Sequence, residues 1–250
     1  MLIKVLTLNI WRGEVFENAL EFLKKEDPDI IFLQEVYDGK ESNLPPTHRL
    51  FSVLKESFPD YSGVFGAAYC DITKHGNVEC GNAILTKLKI ISTQNIFFDR
   101  PYRTFDEQAQ TSFQDNPQTL LLARLEVQGI IINASCVHGI WDLHGRDTKR
   151  RLSMIDTIID RVRNEQNVIL AGDFNLNPDT VAAQKIEKHL TSVFGTTLKT
   201  TFNMKHKKSP GFATSAVDMI FVSPNIRIIN KKCPDVDVSD HLPLLATLEI

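Results

Sequence analysis

"VILAGDFNLNP" (Val168–Pro178) decides how this chain of 250 residues is read. Val168 to Ala171 is an apolar run of strand length, the pattern of a strand buried on both faces. Where the run ends, Asp173 and Asn175 follow. Alternate side chains of an extended segment share a face, so these two are expected to point the same way and grip one object. Taken singly, an Asp or Asn at a strand end is ordinarily a turn former whose side chain bonds its own backbone. Here the pattern recurs. "IKVLTLN" ends at Asn9, "DIIFLQE" at Glu35 and "IIINASCVH" at His138, while Asp218 opens one apolar run and Asp240 with His241 precedes another.

If these ends converge, four carboxylates (Glu35, Asp173, Asp218, Asp240) share a partly buried pocket. Their mutual repulsion at low dielectric costs several kcal/mol unless a cation or a buried imidazolium offsets it. Oxygen ligands select a hard cation, so Mg²⁺ or Mn²⁺ is expected rather than zinc. His138 and His241 fit the same logic, since a His beside an acid is held in one tautomer and exchanges a proton near neutral pH.

Around these ends the chain reads as mixed α and β. Strand-length runs occur at Ile3 to Leu8, Asp29 to Leu33, Asn82 to Leu85, Leu120 to Leu125, Ile130 to Val137, Val168 to Ala171, Asp218 to Val222 and Leu244 to Ile250. Helical spacing marks Glu17 to Glu26, His48 to Phe58, and a third segment capped by Asp147 or Thr148 and running to about Asn164. Tyr37 to Thr47 and Arg100 to Gln118 read as long loops. With no repeat and no Pro, Gly or Ser-rich linker, residues 1–250 are expected to form a single domain. The formal charge of −3 excludes a generally polybasic binder, so any nucleic acid or anionic lipid is held by a local patch helped by a cation.

No stretch approaches the roughly 18 unbroken apolar residues of a membrane helix. "MLIKVLTLNIW" reads as a first strand rather than a leader. A cytoplasmic monomer is therefore expected. The four cysteines lack zinc-site spacing and are expected to be reduced thiols, with Cys136 in the core.

The motifs "LTLNIW", "IIFLQEV", "GNAILTK", "SCVHG", "LAGDFN", "VDMIFVS" and "VSDHLPL", in that order over residues 5 to 245, resemble those of the endonuclease/exonuclease/phosphatase family. That family includes deoxyribonuclease I-like enzymes. The resemblance implies a four-layered α/β/β/α sandwich of two mixed sheets flanked by helices, with a pocket at one end. It makes Glu35 the principal Mg²⁺ ligand, with Asn9 beside it and Asp240 on the metal or its water shell. Asp173 then orients or deprotonates the attacking water, and Asn175 donates to the scissile phosphate. Asp218 orients His241, which stabilises the pentacovalent phosphate or acts as an acid, and His138 touches the phosphate. Trp11 stands where some members carry a further acid, and Glu79 is a candidate partner for His138.

The implied activity is divalent-metal-dependent phosphodiester hydrolysis, with nucleic acid or a nucleotide as substrate. A phosphomonoesterase or a phospholipase C-type hydrolase is the near alternative, and an inactive fold used as a binding module the remote one. Arg146, Lys149, Arg150 and Arg151 follow His138 and are placed either to bind a second phosphate or to form a solvated helix face, with Arg151 preferred as a substrate contact. "KHKK" (Lys205 to Lys208) reads as an exposed loop. Trp11, Trp141, Tyr102 and Phe105 are candidates to stack on a base, although an aromatic near a loop more often serves as packing or cover. The remaining histidines, His48, His75, His144, His189 and His206, show no partner pattern.

Overall fold

The computed structural model describes residues 1–109 and 112–250, so that Gln110 and Thr111 of the Arg100 to Gln118 loop lie outside the described residues. In chain order the strands are β1 (Leu2–Asn9), β2 (Ile30–Asp38), β3 (Ser62–Thr73), β4 (Gly76–Thr86), β5 (Lys89–Phe97), β6 (Thr104–Phe105), β7 (Thr119–Val127), β8 (Ile130–His138), β9 (Val168–Asp173), β10 (Thr191–Ser192), β11 (Asp218–Val222), β12 (Arg227–Lys232) and β13 (Leu244–Glu249). The helices are α1 (Phe16–Glu26), α2 (Leu50–Ser57), α3 (Lys149–Val162) and α4 (Val181–Glu187).

One sheet runs β12-β13-β1-β2-β4-β3-β6 and the other β10-β11-β9-β8-β7-β5. Both are mixed: β1 pairs with β2 in parallel and β8 with β9 in parallel, whereas β1–β13 and β9–β11 are antiparallel. The alternation of side chains sorts the apolar residues into layers. Ile3 and Val5 of β1, Ile30 and Phe32 of β2, Ile132 and Ala134 of β8, and Ile169 and Ala171 of β9 meet in one buried cluster between the sheets. Leu6, Leu8, Ile31 and Leu33, one residue out of phase with these, pack against Ala19 and Leu23 of α1 and Leu50 and Leu54 of α2. Val168, Leu170 and Phe221 take Met154, Ile155 and Ile158 of α3 and Ala182 and Ile186 of α4 on the other side. The layering is helix, sheet, sheet, helix, as the motif resemblance implies.

Six of these strands and helices are absent from the sequence reading, among them β6 and β10, which span only two residues each. β3 is diluted by Gly and Ala, β5 and β12 are half-exposed strands with polar alternate positions, and α4 spans seven residues, too few for a periodicity to register. Each is held by tertiary context. In α4 the cap is shared: Thr180 Oγ1 accepts from Ala183 N, and the two Asp147 oxygens accept from Val181 N and Ala182 N at 2.9 Å each. Asp147 thus caps α4, and Thr148 caps α3 by accepting from Arg151 N at 3.2 Å. All four cysteines are free, and Cys136 is fully buried between the sheets.

Candidate active site

The same period of two that builds the layer between the sheets carries polar side chains to its end. In β8, Ile132, Ala134 and Cys136 face the other sheet, so His138 follows in that row; in β9, Ile169 and Ala171 lead to Asp173; in β11, Ile220 and Val222 run back to Asp218. Asp173 is in register with His138 on one side and with Asp218 on the other. On β1 the row runs Ile3, Val5, Thr7, Asn9.

Glu35 breaks the rule. The inward place on β2 goes to Gln34, whose amide donates to Cys136 Sγ at 3.1 Å and Thr7 Oγ1 at 3.3 Å. A bulge between Leu33 and Val36, with Glu35 itself at φ 54°, redirects the carboxylate toward the strand ends. The Asn9 amide then donates to Glu35 Oε1 at 3.1 Å and to Asp173 Oδ2 at 3.2 Å, joining residues 138 positions apart around one side chain. Asn175 also departs from the strand reading. β9 stops at Asp173, whose Oδ1 accepts from Asn175 N at 2.8 Å, and Asn175 turns at φ 54° to donate its amide to Gly139 O at 2.9 Å. It reaches the same cavity as Asp173 through a turn, not along a shared strand face.

The turn before β13 brings in the remaining groups. Ser239 Oγ donates to Asn9 O at 2.6 Å, tying Asp240 and His241 to β1. His241 Nδ1 lies 2.9 Å from Asp218 Oδ2, and its Nε2 faces Asp173 Oδ2 at 3.9 Å. His138 Nε2 faces the same oxygen at 3.8 Å. Burial works against the charge on His241, but Asp218, then Asp173 and Asp240, override it and raise its pKa to about 10. Burial likewise pushes the Asp218 carboxyl up, partly offset by His241. Asp218 thus holds His241 in its protonated form at neutral pH.

A raised His pKa contributes stability that is fully present below the ordinary value of 6.5 and disappears as pH rises through about 10. In EDTA the melting temperature is therefore expected to fall between pH 7 and 10, and His241→Asn to flatten that slope. An identical slope in the variant refutes the pairing.

Burial also works against ionised Glu35, yet Arg12, His138 and the Asn9 amide together hold its pKa down at about 2. Arg12 enters from the 3-10 turn Trp11–Gly13. Its Nη2 lies 2.9 Å from Glu107 Oε2 and its Nε lies 3.6 Å from Glu35 Oε2. The sequence reading missed Arg12 and Glu107, which stand in loops without periodicity. It also placed "KHKK" in solvent, whereas Lys207 reaches Asp240 Oδ2 at 2.7 Å, and His206 has Asp237 at 2.8 Å and the Trp11 ring at 5.2 Å as partners. Arg12, Glu35, Glu107, His138, Asp173, Asn175, Lys207, Asp240 and His241 line a cavity of about 290 Å³ together with Trp11, Phe113, Trp141, Phe202 and Phe212. An adjoining hollow of about 390 Å³ shares Trp141, Asn175, Phe202 and Phe212, and continues to His144, Arg146 and Ser209.

Other expected contacts are redirected. Arg151 is fully buried and donates from Nε, Nη1 and Nη2 to the carbonyls of Ile140, Arg146 and Asp142 at 3.0, 2.7 and 2.9 Å. Each of its three nitrogens is spent on a backbone carbonyl, so it fixes the loop that carries Trp141 to the cavity. Arg151→Met is expected to cost about 3–5 kcal/mol, because buried carbonyls lose their donors. Thermal or urea unfolding measures this, and a loss below about 1 kcal/mol refutes the clamp.

Arg146 is exposed, paired with Asp179 at 2.7 Å, and borders the second hollow. Glu79 accepts from the Tyr102 hydroxyl at 2.6 Å, so its partner is Tyr102 instead of His138. Phe105 stacks on Tyr69 at 4.9 Å.

Among the described residues, Asp173, Asp218 and His241 each bring one ligand atom within 4.8 Å of the others, so the site has an acid and His group able to hold an ion. His241 and Asp218 are already spent on one another. The side-chain oxygens of Glu35, Asp173, Asp240 and Asn9 are of the hard type that a hard cation prefers.

Comparison with curated protein sequences gives no significant match. Among solved structures, the fold is shared with an endonuclease/exonuclease/phosphatase from Bacteroides vulgatus (TM-score 0.74, 19% identity, 100% of this chain and 99% of that one). It is also shared with a mannosyl-6-phosphatase from Bacteroides thetaiotaomicron (0.73, 18%, 99% and 100%). TDP2 from D. rerio, complexed with a single-strand DNA product, is a further match (0.70, 17%, 100% and 99%). The family model described as "Endonuclease/Exonuclease/phosphatase family" matches residues 6–241. With Asn9, Glu35, Asp173, Asp218 and His241 brought to one end of the paired sheets inside that match, the chain belongs to the endonuclease/exonuclease/phosphatase family.

Proposed function

We propose that the chain hydrolyses a phosphodiester bond in nucleic acid or a nucleotide, with Mg²⁺ or Mn²⁺ as cofactor. Members of the family are phosphoesterase hydrolases. The observation that carries the reading is the Asp173 carboxylate, buried, bridged to Glu35 by the Asn9 amide and flanked by two imidazoles.

Glu35, Asn9 and Asp240 would hold the metal, which when bound supplies charge neutralisation at the nonbridging and leaving oxygens. The fit rests on the donor chemistry: these are hard oxygen atoms, and Glu35 stays ionised over the whole working pH range. Asp173 accepts a proton from, or aims, the attacking water, as a carboxylate fixed by Asn9 and by Asn175 N is placed to do. His241, kept protonated by Asp218, offers its Nε2 proton to the charge that develops on phosphorus oxygens. His138 and the Asn175 side chain, at the same cavity wall, orient the ester. Trp11, Trp141 and Phe212 supply faces on which a base or sugar rests.

A second reading, hydrolysis of a small phosphate monoester, draws support from the cavity of about 290 Å³, which is of a size for one phosphate and one ring. The likeness to a mannosyl-6-phosphatase leans the same way. Turnover of plasmid, abasic duplex, single-stranded DNA, RNA, sphingomyelin, sugar and inositol phosphates and bis-p-nitrophenyl phosphate, each with Mg²⁺ or EDTA, separates the readings. Metal-dependent cleavage of a diester is the expected result. Cleavage confined to monoesters transfers the assignment to the second reading, and no turnover at all promotes a binding module.

A further inference from the structure

We propose that Arg12 binds the phosphate of the substrate and that Glu107 is the residue that positions it, an inference that rests on the phosphoesterase reading above. Arg12 sits at φ 53° between Trp11 at φ 49° and Gly13 at φ 78°. Left-handed backbone at a non-glycine residue costs about 1 kcal/mol, and such strain concentrates where a side chain must be aimed. The turn is pinned by Trp11 N donating to Asn9 Oδ1 at 3.1 Å and Gly13 N to Ile10 O at 2.9 Å. Its effect is to fold the side chain of Arg12 back over the face that carries Glu35.

The guanidinium is held there from one end. Glu107 accepts from Nη2 at 3.0 Å and is itself fixed by the Tyr69 hydroxyl at 3.0 Å and the Asn116 amide at 3.1 Å. The Glu107 backbone N donates to Asp71 Oδ1 at 3.0 Å, and Asp71 Oδ2 accepts from the Tyr37 hydroxyl at 2.6 Å, so the anchoring acid is locked into the wall. At the other end Nε stands 3.6 Å from Glu35 Oε2, beyond hydrogen-bond distance, and among the described residues its buried N–H has no acceptor.

Two consequences follow from this arrangement. An unfilled N–H on a planar, permanently charged fork beside an acid-rich cavity matches a nonbridging phosphate oxygen, which Arg recognises better than Lys. And because Glu107 draws the guanidinium off Glu35, that carboxylate keeps its lone pairs for a cation while the anionic ester still meets a positive group.

The test measures Mn²⁺ binding by calorimetry and inorganic phosphate as a competitive inhibitor, in the full chain and in Arg12→Met, Arg12→Lys and Glu107→Gln. Loss of one charged hydrogen bond predicts inhibition by phosphate about tenfold weaker in Arg12→Met, with a smaller loss in Arg12→Lys. Mn²⁺ binding in Arg12→Met is expected to be unchanged or tighter, since a competing cation has gone. In Glu107→Gln the guanidinium relaxes onto Glu35, and Mn²⁺ binding is expected to weaken several-fold, a change that a packing role would not produce. Glu107→Asp, which keeps the charge, is expected to recover most of it. An unchanged phosphate constant in both Arg12 variants, or unchanged Mn²⁺ affinity in Glu107→Gln, overturns the inference while leaving the phosphoesterase reading in place. A wild-type chain that binds neither Mn²⁺ nor phosphate overturns that reading as well.

Discussion

Asp173→Asn is expected to lower turnover of a phosphodiester by about three orders of magnitude or more with the fold intact. The substitution keeps the shape, and Oδ1 still accepts from Asn175 N, the bond that sets the turn after β9. What it removes is charge. Asp173 Oδ2 takes the Asn9 amide and faces Nε2 of both His138 and His241, so three neighbouring side chains converge on this one oxygen. An amide there presents either a donor to the Asn9 donor or an oxygen too weakly basic to take a proton from water. The imidazolium of His241 also loses one of the acids that raise its pKa, so two effects on the chemical step coincide. The measurement is kcat with bis-p-nitrophenyl phosphate and Mg²⁺, beside a circular dichroism melt. A rate within tenfold of wild type, from a chain that melts normally, refutes the role.

How much of this was legible from the amino acids depends on which physical rule places each residue. Asp173, Asp218, His138 and Asn9 extend a period of two that begins in apolar rows, and the pattern of those rows predicts that they share a face. Glu35 was found because it ends an apolar run, but its direction depends on a bulge that no periodicity announces. Arg12, Glu107 and Lys207 come from loops, where neither hydropathy nor spacing constrains direction. Arg151 was misjudged for a related reason. A charge in the first turn of a helix reads as solvated or substrate-facing, whereas here three backbone carbonyls of one loop satisfy it in the interior. The strands left unread lie chiefly where Gly, Ala or polar residues weaken the alternation, and their pairing partners decide them instead.

Glu35→Gln is the sharper test of the cation. Glutamine preserves the volume of the side chain and an oxygen able to accept from the Asn9 amide, so the bulge of β2 has no reason to relax. The full negative charge goes, and with it the proposed anchor for a divalent ion among oxygens that are otherwise neutral, paired with Lys207 or shared with the histidines. Losing one carboxylate ligand is expected to weaken Mn²⁺ binding by about a hundredfold, within the 10–100-fold range seen for lesser changes around metal sites or just beyond it. At fixed Mg²⁺, turnover is expected to fall by at least as much, and to recover in part when Mg²⁺ is raised, which an orienting or packing defect would not allow. Arg12 then faces only Glu107 as a full counter-charge, so phosphate inhibition is expected to hold or strengthen in the same variant. Calorimetry with Mn²⁺ and a Mg²⁺ titration of the rate measure both effects. Undiminished Mn²⁺ affinity in Glu35→Gln would place the ion elsewhere, with Asp173, Asp218 and His241 as the group of acids and histidine close enough, among the described residues, to hold it.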